Sequence, residues 1–131
     1  MSARLTLVPL FLVVWLVPIA ASAQTFDGGD QFRTYCAVCH GDDLKGTGPL
    51  ASSMRTRPAD LTAIAKANGG TFPADQVYRT IDGRNPVKGH GGPDMPVWGD
   101  AFGKSAADST PDAVKARIEA LVRYIERMQA K

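Results

Sequence analysis

The run Cys36-Ala37-Val38-Cys39-His40 constrains this chain more than any other feature of it. These are the chain's 2 cysteines, and a histidine directly follows the second. On one helical turn, thiols at i and i+3 project to the same side. Both can therefore meet one flat group lying against that side, and His40 can turn its imidazole onto the same group. A disulfide between Cys36 and Cys39 would close a very short loop and stabilise little. A thioredoxin-like pair would follow a strand in a β-α-β unit. Residues 27–35 show no strand pattern; Phe32 and Tyr35 are spaced to share a helical face. A zinc site drawn from Cys36, Cys39, His40 and His90 would require the adjacent Cys39 and His40 to ligate one tetrahedral ion, which is awkward.

The N-terminal segment narrows the choice. Arg4 precedes an almost wholly apolar stretch, Leu5 to Ile19, interrupted by Pro9 and Pro18, and Ala21-Ser22-Ala23 has the small residues that signal peptidase cleaves after. The pattern predicts a cleavable secretory signal over residues 1–23 and one mature domain over 24–131. An uncleaved anchor is the alternative, disfavoured by the two prolines and by marginal length for spanning a bilayer. Of 15 Lys and Arg, only Arg4 lies in the signal, leaving 14 basic against 13 acidic side chains. That balance is too close to neutral to argue for nucleic-acid binding, or for binding to an anionic membrane. With 13 Gly and 9 Pro, and few large apolar side chains between residues 40 and 72, the domain buries a small core and calls for a staple.

An exported C-x-x-C-H run with no further cysteine reads as a c-type haem attachment site. Cys36 and Cys39 would hold haem c covalently, and His40 would be one axial ligand of its iron. The rest of the chain predicts helices at both ends with long loops between them, an all-α domain without strand alternation. A first helix is expected over residues 27–38. Asp60 can cap a short helix ending at Asn68-Gly69-Gly70, and Pro73 to Asp82 forms another, stopped by Gly83. Residues 84–110 read as mostly irregular. Thr110-Pro111 opens a last helix with Val114, Ile118, Leu121, Val122, Ile125 and Met128 on one apolar stripe.

Gly28 with Phe32 four residues on, then C-A-V-C-H, and the closing Leu121-Val122-Arg123-Tyr124-Ile125 segment together resemble the class I c-type cytochrome family in its short bacterial monohaem form. The resemblance runs from Asp27 to the C-terminus. It implies a cytochrome c-like fold of about four to five helices wrapped around one haem. The first and last helices would cross where Gly28 meets Tyr124, since glycine permits close approach. It also likens Gly46-Thr47-Gly48-Pro49 to the family's proximal loop, where the Pro49 carbonyl would take the His40 ring proton.

The second axial ligand is expected at Met95, a soft thioether in the proline-stiffened Gly91-Gly92-Pro93-Asp94-Met95-Pro96 loop; Met-Pro-x-Trp also resembles the family's distal-ligand loop. His90 is the rival, and Met54 follows His40 too closely to reach the opposite haem face easily. Trp98 and Arg79, with Arg55 and Arg57, are candidates for haem propionates, while Phe32, Leu50, Leu61, Ile81 and Val97 are expected along the haem edge.

The function expected is a periplasmic single-electron carrier and not an enzyme. Redox protein donors and acceptors would dock transiently at the haem edge, against a rim including Lys45, Arg55, Arg57, Arg84 and Lys88. If the signal is cleaved, no membrane contact is implied. The alternative is a haem enzyme subunit, or a gas-binding haem sensor with a labile sixth ligand.

Overall fold

The computed structural model describes residues 25–84, 95–105 and 109–130. Among them there are helices and irregular segments and no strand, so the domain is all-α. Helix α1 spans Gly28–Tyr35, α2 Ala37–His40, α3 Ile64–Ala67, α4 Ala74–Asp82, α5 Trp98–Gly103 and α6 Pro111–Arg127, with 3-10 turns at Ala51–Ser53 and Leu61–Ala63. The predicted signal over residues 1–23 lies outside the described residues, as do His90, Lys88 and the Gly91-Gly92-Pro93-Asp94 part of the loop. No helix among the described residues is long and apolar enough to cross a membrane.

The helix ends follow local chemistry. The Asp27 carboxylate accepts from the Asp30 N–H at 2.8 Å and starts α1. Thr110 accepts from the Ala113 N–H at 3.2 Å, with Pro111 as the first helical residue of α6. Gly83 ends α4 in the left-handed region at φ 68°, its N–H donating to the Arg79 carbonyl. Two departures from expectation stand out. The first helix is broken at Cys36, where φ opens to −113°, so that Ala37–His40 forms its own turn. The segment read as irregular contains α5, whose first residue is Trp98.

Helix α6 is the spine, packing against α1, α4 and α5. Val114, Ile118, Leu121, Val122 and Ile125 are buried as the stripe predicts, whereas Met128, at the C-terminal cap, is exposed. Where α1 crosses α6, a Cβ on Gly28 would collide with the Ala120 carbonyl oxygen and sit 2.8 Å from the Tyr124 Cβ. Only glycine allows that approach. Phe32 stacks on Tyr124 in the same crossing, ring centroids 5.4 Å apart. Sequence gave no sign that Arg117 would be buried in this helix. Its guanidinium lies 4.9 Å from the ring centroids of both Phe26 and Phe102, a cation–π sandwich.

The C-terminus closes the far side. Gln129 accepts from the Ala65 N–H at 2.8 Å and donates to the Leu61 and Ile125 carbonyls at 2.7 and 2.9 Å, and the Ala130 N–H donates to the Thr62 carbonyl. These bonds tie the 3-10 turn and α3 to the end of α6.

Candidate cofactor cavity

The described residues line a cavity of about 480 Å³. That is within the usual range for a small-molecule or cofactor site, roughly 300–1,000 Å³. Its walls come from every part of the fold. Phe32, Tyr35, Cys36, Cys39 and His40 line it from α1 and α2. Val77, Thr80 and Ile81, with Gln76, line it from one face of α4, and Leu121 and Ile125 from α6. Met54, Thr56, Arg57, Pro58 and Ala59 form a crossing strap, with Leu61 and Ile64 behind it; Met95, Pro96 and Trp98 complete the ring.

The cysteine turn is held rigidly by the loop that follows it. Gly46, Gly48 and Leu50 donate their backbone N–H groups to the carbonyls of His40, Cys39 and Val38, at 2.8, 3.1 and 2.9 Å. These are the carbonyls that a helix end leaves without partners. Gly48 passes so close that a Cβ there would lie 2.6 Å from the Val38 carbonyl oxygen. Asp43 stiffens the loop by accepting from the Lys45 N–H and the Thr47 hydroxyl at 3.1 and 2.9 Å.

The His40 Nδ1 lies 3.2 Å from the Ala59 carbonyl oxygen. With Nδ1 protonated it donates there, leaving Nε2 as the free lone pair. Burial pushes the imidazole below its usual range, and the bond to Ala59 partly offsets this. The ring is therefore neutral near pH 7, the form that can ligate a metal. The acceptor corrects the expectation for Pro49, which is exposed and does not line the cavity. In this loop Gly46, Gly48 and Leu50 cap α2 through their N–H groups. The loop braces the strap at Gly46, where a Cβ would collide with the Pro58 carbonyl oxygen, and the strap brings Ala59 to His40.

The Cys36 thiol is pushed up to about 12, chiefly by burial and further by the neighbouring Cys39. Low-pKa cysteines drive thiol–disulfide catalysis, so the structure disfavours that chemistry here. Among the described residues, no group of three or more His, Cys, Asp or Glu is placed to hold a metal ion by itself, and His90, the fourth residue weighed for zinc, lies outside them. A His/thioether pair is outside that donor set.

Met95 is partly buried, packs against the core and lines the cavity. Trp98 lines it too, its ring 5.7 Å from Tyr35 and 5.3 Å from Phe102. Met54 also lines the cavity, just after the 3-10 turn at Ala51–Ser53. Arg79 is corrected. It is exposed on the face of α4 opposite Val77 and Ile81, and does not line the cavity. Of the other arginines proposed for propionates, Arg57 lines the cavity and Arg55 does not. Phe32, Leu61 and Ile81 line it as expected, whereas Leu50 and Val97 are exposed. Ala59 was missed altogether, since a backbone acceptor leaves no side-chain signal.

Fold and cavity together define an all-α domain built around a site that gathers two thiols, an imidazole and two thioethers. A 66-residue stretch, 47% of the chain, is 30% identical to part of the "Alcohol dehydrogenase (quinone), dehydrogenase subunit" of Gluconacetobacter polyoxogenes. The match spans 9% of that relative's length. No family model matches the chain, and no solved structure does.

Proposed function

We propose that this is an exported single-electron carrier of the class I c-type cytochrome kind, holding one covalent haem c between His40 and Met95. The observation that carries this is the convergence of Cys36, Cys39, His40 and Met95 on one mostly apolar cavity. When bound there, a c-type haem supplies an iron that gains and loses one electron at little structural cost.

The chain's own residues do the rest. Cys36 and Cys39 tether through thioether links from one turn. His40 presents Nε2 while Ala59 holds its Nδ1 proton, which orients the ring and raises its basicity. Met95 offers a thioether, a ligand that raises reduction potential relative to a second histidine. Phe32, Val77, Ile81, Leu121 and Ile125 exclude water. Were His40 and Met95 both to hold the iron, the protein would leave no open position on it for a substrate, which is the reason for reading the domain as a carrier.

Partners would dock transiently where the cavity reaches the surface. Two members of the expected basic rim have acidic neighbours. Arg84 is paired with Asp82 at 2.7 Å, and Lys45 acts electrostatically on both Asp43 and Asp60. Arg55 and Arg57 are the other described members of that rim, and Lys88 lies outside the described residues.

One absorption spectrum of purified protein, oxidised and reduced, with a pyridine haemochrome assay, tests the proposal. A c-type haemochrome together with the weak far-red band of a methionine–iron bond is expected; protein of bare polypeptide mass would end it.

A second form of the proposal is favoured by the partial likeness to a quinone-dependent alcohol dehydrogenase subunit. In it, the domain passes electrons as part of an exported dehydrogenase assembly. Co-purification with a larger dehydrogenase supports that form, and isolation as a free monomer supports the diffusible carrier.

A further inference from the structure

The last residue of α4, Asp82, is a buried carboxylate, and its Oδ1 accepts from Arg84 Nε and Nη2 at 2.8 and 2.7 Å. The pair is folded around the left-handed Gly83. Gly99, the second residue of α5, is seated directly on it. A Cβ at Gly99 would lie 2.8 Å from the Asp82 carbonyl oxygen, and closer still to the Asp82 carboxylate and Arg84 Nε. Beside it, a Cβ on Gly83 would lie 3.2 Å from Val97 Cα. The end of α4 and the start of α5 are thus interlocked through three consecutive residues on one side and Val97 and Gly99 on the other. Met95 stands two residues before Val97 and takes its place in the cavity wall from that same chain direction.

We infer that Asp82 and Arg84 are positioning residues for Met95: their ion pair is the seat on which Val97–Gly99 rests, and it fixes where the Met95 thioether enters the cavity. The inference rests on the proposed Met95 ligation and deepens it. Nothing about exposed ion pairs in general predicts this role, since most contribute little. What distinguishes this pair is the buried carboxylate. Removing its partner leaves a charge without compensation, and the nearest place for the strain to relax is the glycine contact with α5.

The test is imidazole titration of the ferric holoprotein, in which added imidazole must displace Met95. A less well-seated Met95 raises apparent affinity in proportion to the fraction of protein with an open position. Asp82→Asn is expected to tighten imidazole binding by roughly tenfold and weaken the far-red band. Gly99→Ala, which wedges a methyl group into the seat, is expected to do the same. Arg84→Leu strips the compensating charge from Asp82 and is expected to tighten imidazole binding in the same way, so it serves if Asp82→Asn fails to accumulate, whereas Arg84→Lys, which keeps a charge partner, should stay near the wild-type affinity. Gly28→Ala, remote from the seat, controls for general destabilisation and should leave imidazole affinity unchanged. Wild-type affinity in both Asp82→Asn and Gly99→Ala, or equal tightening in Gly28→Ala, overturns the inference while leaving Met95 ligation standing. Wild-type holoprotein without the far-red band overturns the ligation itself and the inference with it.

Discussion

At the scale of single residues, His40 has most of its chemistry decided by one backbone oxygen. Its Nδ1 is engaged by Ala59, and burial holds its pKa below that of the unfolded chain. The unfolded chain therefore binds more protons between the two values, and stability falls as pH drops through about 6.5 towards the lowered folded value. Asp43 and Asp60 are depressed by hydrogen bonds, so their contributions are complete above about pH 4 and vanish only below it. Denaturant unfolding of the holoprotein between about pH 7.5 and about pH 5 should show a midpoint that falls with pH, because the folded state keeps His40 unprotonated, by burial and by any iron held at Nε2, and the unfolded state does not. A midpoint that stays level counts against a buried neutral His40. Gly28 gives a steric prediction at the same scale. In Gly28→Ala, a helix-propensity gain of at most about 1 kcal/mol opposes a collision with the immobile Ala120 carbonyl. Overpacking of this sort costs about 1–3 kcal/mol, so the melting temperature should drop by several degrees. A rise would show that α1 and α6 can separate freely.

Among the elements, α6 carries the greatest burden, burying its apolar face against three helices and fastening α3 through Gln129. Gln129→Ala removes one acceptor and two donor contacts at once. The Ala65 N–H and the Leu61 carbonyl then lose partners in a partly buried place. The expected cost is about 1–3 kcal/mol, read as a lower denaturation midpoint with unchanged slope. Hydrogen exchange should report it locally, with faster exchange at Ala65 than in α1. Helix α4 divides its labour by face: Val77 and Ile81 turn inwards while Arg79 stays in solvent. Arg79→Ala should therefore leave the visible spectrum and reduction potential of the holoprotein as they were.

For the whole molecule, the small core and the cavity are one problem. Phe32, Phe102, Leu44, Ile118 and Leu121 are the largest fully buried side chains, and two of them, Phe32 and Leu121, border a space of about 480 Å³ that must be filled for close packing. A Cys36→Ala/Cys39→Ala double variant exported without covalent haem should lose cooperative unfolding and near-ultraviolet circular dichroism while keeping helix signal, the behaviour of a chain without fixed packing. A sharp cooperative transition in that variant would mean that the polypeptide packs without the group. With Arg84 neutralised, electron-transfer rates to an acidic partner should decline only gently as ionic strength rises; stopped-flow measurement over a salt series checks this.

Local signals determined much of this protein. The C-x-x-C-H turn, the Asp60 and Thr110 caps, the Gly83 stop and the α6 stripe each depend on residues a few positions apart, within one period of backbone geometry. The Gly28–Tyr124 crossing came through as well, but on a family resemblance. Only the tertiary structure decided which carbonyl meets His40, that Met54 shares the cavity with Met95, that Arg79 faces away, and that Asp82, Arg84 and Gly99 interlock. Those outcomes depend on the path of a Gly- and Pro-rich chain between distant anchor points. Such a path is set by which backbone groups find partners across the fold, and a sequence pattern does not record it.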